Sequence, residues 1–344
     1  MRYRYGRYLF IPRISSDLVT VMLKFGIIGT NSISDKFCAA AKEVSGVEVT
    51  AVYSRTKERG EDFAKRNGIK KSFSNLNDML SSDIDAVYVA SPNFMHKEQS
   101  ILSLSKGKHV LCEKVMANYY SDAIEMVAAA KKYNKILLEA MRPDFDPSFE
   151  IIRSSLFKLG KIRRAHFEYC QYSSRYDNFK RGIMSNAFDV GIGNSALADI
   201  GIYPLHFAVA MLGEPKDIDA KAVFLENGFE GLGNITMNYG DKVAEVVYSK
   251  ITDSFTPSVI EGEDASVVID KISTPRSLKI IYRDGSEELL QYSPAPNNMV
   301  YEISAFRDMA LGKRGEGDFM NYTLLAIKLM NLAHEKNGAV AYLT

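Results

Sequence analysis

The run Val52-Tyr53-Ser54-Arg55 ends an apolar segment on a hydroxyl and a guanidinium. Ser54 can hydrogen-bond a phosphate monoester and Arg55 can pair with its charge. A second run, Leu111-Cys112-Glu113-Lys114, ends on a carboxylate and an ammonium group. A third, Ala90-Ser91-Pro92-Asn93-Phe94-Met95-His96, carries a proline turn that exposes backbone groups and sets His96 in the first turn of a following helix. Asp199, Tyr203 and His206 are spaced i, i+4 and i+7, which predicts that all three share one helix face. Pro204 lies inside that stretch, so the helix is expected to kink there or to begin nearby.

These residues need elements to position them, and the stretch Leu23 to Ala41 supplies the first. It reads as a short apolar strand, a glycine turn at Gly26 and Gly29, and a helix opening at Ile33. In such a strand–turn–helix unit, backbone N–H groups over Gly29, Thr30, Asn31, Ser32 and Ile33 collect at a helix N-terminus, where they and the helix dipole favour a pyrophosphate. A full G-x-G-x-x-G pattern would place glycines at 29, 31 and 34, and this chain has Gly29, Asn31 and Ser34. Asn tolerates positive φ and Ser is small enough for close helix packing, so both replacements are compatible with the turn.

Strands over Val47 to Tyr53, Ile84 to Ala90, His109 to Cys112 and Ile136 to Ala140 alternate with helices over Lys57 to Asn67, His96 to Lys106 and Ser121 to Tyr133. That rhythm predicts a doubly wound parallel sheet over residues 22–143. Ligands of such sheets bind outside the carboxyl ends of the strands, where Ser54-Arg55, Ser91 to His96 and Glu113-Lys114 all fall. An NAD-selective site usually places an acid after the second strand, and here Ser54 and Arg55 stand instead, so the electrostatics favour NADP over NAD. Past Pro143 and Pro147 the pattern changes to alternating runs at Arg163 to Tyr172, Asp219 to Leu225, Gly233 to Met237, Lys242 to Ser249 and Leu278 to Tyr282. These predict an α+β second domain over 144–318 with a mainly antiparallel sheet, and a C-terminal helix over 319–344 that returns toward the first domain. The loop Ser173 to Gly193, carrying Arg175 and Tyr176, is expected to border a substrate pocket. Its polar residues suit a sugar or cyclitol, and Phe179, Ile183 and Phe188 suit a hydrophobic diol.

Composition bounds the rest. The 344 residues carry a formal charge of +1 and are 46% hydrophobic, which suits two buried cores and gives no electrostatic reason for a nucleic-acid or membrane partner. Apolar runs are of strand length, below that of a membrane-spanning helix. Three cysteines, Cys38, Cys112 and Cys170, lack metal-ligand or redox-pair spacing, and five histidines are dispersed, so no metal site is expected and a reducing cytoplasm fits. Residues 1–21 differ, with Arg2, Arg4, Arg7 and Arg13 among tyrosines. They read as an appended arm, either a leader or loosely held tail, or a contact for nucleic acid or membrane, or a transit peptide.

Four motifs together resemble a family. Gly-Ile-Ile-Gly at 26 to 29, Ser-Pro-Asn-x-x-His at 91 to 96, Gly-Lys-His-Val-Leu-Cys-Glu-Lys at 107 to 114 and Ala-Leu-Ala-Asp-Ile-Gly-Ile-Tyr-Pro-Leu-His at 196 to 206 are similar to the glucose-fructose oxidoreductase, inositol dehydrogenase and MocA group of NAD(P)-dependent oxidoreductases. The family's Glu-Lys-Pro reads Glu113-Lys114-Val115 here, which frees the backbone after the lysine. The resemblance implies that Lys114 lies beside the nicotinamide and the substrate hydroxyl, and that Asp199 and Tyr203 match an Asp-x-x-x-His/Tyr pair in its tyrosine form. Hydride transfer to a carbonyl leaves an alkoxide that needs a cation and a proton donor, which Lys114 and Tyr203 can supply. The implied activity is oxidation or reduction of a sugar, sugar derivative or trans-dihydrodiol, in a homodimer or homotetramer, with His206 near the substrate. Relatives of two other kinds keep the fold: glycosidases that use a bound nicotinamide without net redox, and nucleotide-sensing regulators.

Overall fold

In the computed structural model residues 21–339 are described, and the arm expected over residues 1–21 lies, but for Val21, outside them. The first sheet has six parallel strands: β1 (Leu23–Ile28), β2 (Val47–Tyr53), β3 (Lys71–Phe73), β4 (Ala86–Val89), β5 (His109–Glu113) and β6 (Leu137–Ala140). Their spatial order is β3-β2-β1-β4-β5-β6, so the sheet reverses direction between β1 and β4 and opens a crevice there. Strand β4 reads Ala-Val-Tyr-Val and is buried throughout, as a strand covered by helices on both faces must be. Phe25 illustrates the packing. Its ring meets Phe37 of the helix Ser32–Glu43 edge-on at 5.3 Å and Phe306 of the helix Met299–Ala310 at 5.5 Å.

The second sheet has eight strands: β7 (Ile162–Cys170), β8 (Asp217–Phe224), β9 (Glu230–Asn238), β10 (Val243–Ser249), β11 (Ser258–Gly262), β12 (Ala265–Ile269), β13 (Leu278–Tyr282) and β14 (Glu287–Leu289). Their order is β14-β13-β12-β11-β7-β10-β9-β8, and every pairing is antiparallel except β7 with β10. Strands β11, β12 and β14 are absent from the sequence-based expectation; the β11–β12 pair is a short hairpin whose turn, Glu263-Asp264, carries no Asn-Gly or Asp-Gly pair. One face of this sheet is covered by the helix Ile202–Leu212, whose Phe207 packs edge-on against Phe167 of β7 at 5.5 Å.

Two late helices bind the sheets together. Met299–Ala310 sits within the stretch expected to build the second domain, yet Met299, Ile303 and Phe306 join the core of the first sheet beside Phe25 and Tyr88. The final helix, Phe319–Asn337, reaches both units: Thr323 Oγ1 donates to Glu139 Oε2 at the end of β6 at 2.9 Å, and Asn331 Nδ2 donates to the Asn118 carbonyl at 2.7 Å. No helix among the described residues is long and apolar enough to cross a membrane.

Candidate functional site

A cavity of about 610 Å³ runs along the carboxyl ends of β1, β2 and β4. Its floor begins at Gly29, whose φ of +111° few other residues adopt; a Cβ there would also meet the Ala90 carbonyl oxygen at 2.5 Å. Asn31 follows with φ −90° and ψ 179°, so its place in the glycine pattern does not depend on positive φ, contrary to the expectation above. It caps the helix instead: its Oδ1 accepts from the Ser34 amide at 3.1 Å while its Nδ2 donates to the Ala90 carbonyl at 2.8 Å. That leaves the amides of Ser32 and Ile33 in the first turn without intrahelical acceptors, the donor set a pyrophosphate requires. Ser34 is fully buried, as a small residue replacing the third glycine must be.

Ser54, Arg55 and Arg59 form the β2 end of the same cavity. Arg59 was not singled out from sequence; it enters the same cavity from the first turn of the helix Lys57–Asn67. Ser91, Pro92 and Asn93 line the opposite wall, with the Ser91 hydroxyl donating to Gln99 Oε1 at 2.6 Å. His96 does not reach the wall. Its ring is buried, with Nδ1 3.0 Å from the Val115 carbonyl and Nε2 2.9 Å from the Ser91 carbonyl, and burial holds its pKa below the ordinary value. It ties the turn after β4 to the turn after β5. Glu113 is also buried and accepts from the Tyr88 hydroxyl.

The cavity reaches Asp199. The Lys114 ammonium donates to the Asp199 backbone carbonyl and lies 3.1 Å from its Oδ1. Burial would lower the lysine's pKa, but Asp199, with Tyr203 and Glu113, raises it above the ordinary value. Burial likewise opposes the Asp199 charge, and Lys114 and Lys250 overcome it, holding the carboxyl below the usual carboxylate range. The Lys114 ammonium stands 5.1 Å from the centre of the Tyr203 ring. Arg142, two residues past β6, donates to the Tyr203 hydroxyl oxygen at 3.0 Å. A guanidinium has no acceptor, so this bond leaves the tyrosine proton uncommitted. The peptide between Lys114 and Val115 is cis.

The geometry thus brings Lys114, Asp199 and Tyr203 together and adds Arg142 and Lys250. It does not bring His206 to them. Residues Leu197–Gly201 form a π-helical turn ahead of the α-helix Ile202–Leu212, which breaks the i, i+4, i+7 register, and Pro204 falls harmlessly in the first α turn. His206 is 1% exposed, with Nδ1 3.3 Å from Asp144 Oδ1 and Nε2 3.9 Å from Glu139 Oε2. Arg175 lines the cavity beside Asn186 and Ala187. Tyr176 turns inward, stacked on Phe188 at 5.6 Å.

A parallel sheet with a strand-order reversal, a pyrophosphate-ready turn and a lysine-centred cluster at the crevice define a dinucleotide-dependent oxidoreductase. Residues 23–141 match the family GFO_IDH_MocA, described as an oxidoreductase family with an NAD-binding Rossmann fold. The chain is 40% identical over 322 residues to the scyllo-inositol 2-dehydrogenase (NADP(+)) IolU of Bacillus subtilis, covering 93% of this chain and 98% of that one. It is 30% identical over 237 residues to a trans-1,2-dihydrobenzene-1,2-diol dehydrogenase of Xenopus laevis, covering 66% and 69%. Among solved structures, KijD10, a 3-ketoreductase of Actinomadura kijaniata in complex with NADP and TDP-benzene, shares the fold at a TM-score of 0.81 and 22% identity, covering 92% of this chain and 98% of that one. The chain belongs to the glucose-fructose oxidoreductase, inositol dehydrogenase and MocA family, and is an NAD(P)-dependent oxidoreductase acting on alcohol groups.

Proposed function

We propose that the chain interconverts a secondary alcohol and a ketone on a cyclitol or sugar, with NADP as its preferred cofactor. The observation that carries this reading is the Lys114–Asp199–Tyr203–Arg142 cluster, which meets the cavity at Asp199, in a cavity also lined by Ser54, Arg55 and Arg59. The scyllo-inositol activity named for the B. subtilis relative supports the substrate class. In this reading Gly29, Thr30, Asn31, Ser32 and Ile33 hold the pyrophosphate, and Ser91, Pro92, Asn93 and Glu113 shape the nicotinamide end. When bound, the nicotinamide supplies or accepts the hydride. Lys114 faces the oxygen on which negative charge develops, and Tyr203 gives that oxygen a proton or takes one from it. Arg142 fixes the Tyr203 oxygen, and Arg175 contributes hydrogen bonds to substrate hydroxyls from the cavity wall.

Mixing the purified protein with NADP and scyllo-inositol, with other cyclitols and aldoses in parallel, is expected to yield reduced nicotinamide. A protein that binds the nucleotide yet oxidises none of these, and reduces none of the corresponding ketones, would remove the substrate class.

The 2′-phosphate has its own test. Charge-assisted hydrogen bonds contribute about 1.5–3 kcal/mol each, so Arg55→Ala is expected to weaken NADPH binding about tenfold or more and leave NADH binding nearly unchanged. Arg59→Ala adds a further loss of the same sign. Nicotinamide fluorescence titration reads both, and an equal loss for NADPH and NADH would place Arg55 elsewhere on the nucleotide.

We also propose a cytoplasmic homodimer or homotetramer joined through the outer face of the second sheet. Val247, Val259, Val268 and Ile281 lie half-buried on that face, apolar surface that a second copy would cover. Light scattering on the eluting protein is expected to give a dimer or tetramer mass, and a monomer mass would contradict it.

A further inference from the structure

Lys250 takes no part in the chemistry described above, yet it is a buried charged side chain in direct contact with Asp199. It directly follows β10, and its side chain is 4% exposed. The ammonium lies 2.8 Å from Asp199 Oδ2 and donates to the Ala187 carbonyl at 2.6 Å. The adjoining rings of Phe188 and Phe229 lie against it, with centres 4.9 and 5.1 Å away. Burying a lysine without a partner is costly, so a fully enclosed one implies that its contacts compensate for its lost hydration.

We infer that Lys250 is a positioning residue for the oxidoreductase centre: it clamps the second oxygen of Asp199 so that the first stays on Lys114, and it fastens the 186–189 wall of the cavity to the same carboxylate. The inference rests on the reading of Lys114 and Asp199 under Proposed function. Two contacts carry it. Asp199 has two oxygens and the structure engages each with a different ammonium, Oδ1 with Lys114 and Oδ2 with Lys250, which fixes the rotation of the carboxyl plane. With only Lys114 as a partner, the half-exposed carboxylate is free to turn toward the cavity, and the Lys114 ammonium then loses the anion that orients it. The bond to Ala187 couples this clamp to the cavity wall, because Asn186 and Ala187 both line the space where Arg175 and Asp199 also appear. Lys250 thus joins Asp199 to the Ala187 part of the cavity lining through one buried charge. Burial lowers its pKa below the ordinary lysine value, and Asp199 opposes that fall.

Two variants test this. Lys250→Met removes the charge and the donor; Lys250→Gln keeps an N–H donor for Ala187 and removes the charge alone. Each is expected to lower kcat by about tenfold or more while KM changes less and the dissociation constant for NADPH stays within about twofold. In an Asp199→Asn background the same Lys250 substitutions are expected to lower kcat little further, because the group through which Lys250 acts has gone. Hydrogen exchange gives a readout independent of turnover: amides over 186–193 are expected to exchange faster in Lys250→Met than in the unaltered protein. If the unaltered protein shows no turnover, the functional reading fails and the exchange result still decides the clamp. The inference is overturned if both variants fold and keep kcat within about twofold, if the loss is undiminished beside Asp199→Asn, or if exchange over 186–193 is unchanged.

Discussion

Lys114→Ala is expected to lower kcat by about a thousandfold, with NADPH affinity within about threefold of the unaltered protein. The ammonium is fixed before substrate arrives, held by the Asp199 carbonyl and carboxylate in a site where its side chain is only 13% exposed. A charge already oriented in such surroundings stabilises a developing alkoxide without reorganisation, and water replacing the side chain cannot do the same. The fold tolerates the change because Asp199 keeps Lys250 as a partner at 2.8 Å, so no carboxylate is stranded. Steady-state kinetics alongside nicotinamide fluorescence reads this outcome. A kcat within tenfold of the original would remove Lys114 from the chemistry.

Tyr203→Phe is expected to lower kcat by about a hundredfold to ten-thousandfold, the range for losing a positioned proton donor. The substitution differs from Lys114→Ala in its second effect. Arg142 donates to the Tyr203 hydroxyl at 3.0 Å, and phenylalanine offers that guanidinium nothing to bond. Leaving a largely enclosed charged donor unpaired destabilises by about 1–3 kcal/mol, so the thermal midpoint should fall for Tyr203→Phe and stay put for Lys114→Ala. Calorimetry beside the kinetics separates the two. A large kinetic loss with an unchanged midpoint would show that Arg142 does not depend on the hydroxyl; a lowered midpoint with undiminished kcat would make Tyr203 a purely structural partner.

The first sheet was legible because each of its central strands is a short apolar run with a polar residue just beyond its carboxyl end. The same feature exposed Ser54-Arg55 and Glu113-Lys114. Lys250 follows Tyr248-Ser249 at the carboxyl end of β10 in the same manner, a signal that was present in the sequence but lay outside the sheet where ligand chemistry was sought. Arg142 follows β6 by two residues, and nothing in the chain order tells that the helix Ile202–Leu212 will bring Tyr203 against it. Spacing failed for His206 because an i, i+4, i+7 argument assumes 3.6 residues per turn, and the π turn Leu197–Gly201 does not keep that period. The histidine then finds Asp144 and Glu139 in the interior rather than the cavity. For Asn31 the ground was tolerance of positive φ, and the structure shows another role: at φ −90° the residue caps the helix and also holds the Ala90 carbonyl. The helix Met299–Ala310 was hidden by distance in sequence, since its apolar face completes a core begun at Phe25.

Direct transfer of hydride beside the Lys114–Asp199–Tyr203 cluster is the central step of the proposed activity. The most direct measurement uses scyllo-inositol deuterated at every carbinol carbon, with NADP and the purified protein, followed by mass spectrometry of the nicotinamide product. Transfer within the cleft predicts reduced nicotinamide carrying one deuterium from the cyclitol, at undiminished enrichment in ordinary water, formed about a thousandfold more slowly when Lys114→Ala replaces the unaltered protein. Reduced nicotinamide without deuterium, or the same labelled product from the Lys114→Ala variant at an undiminished rate, would contradict it.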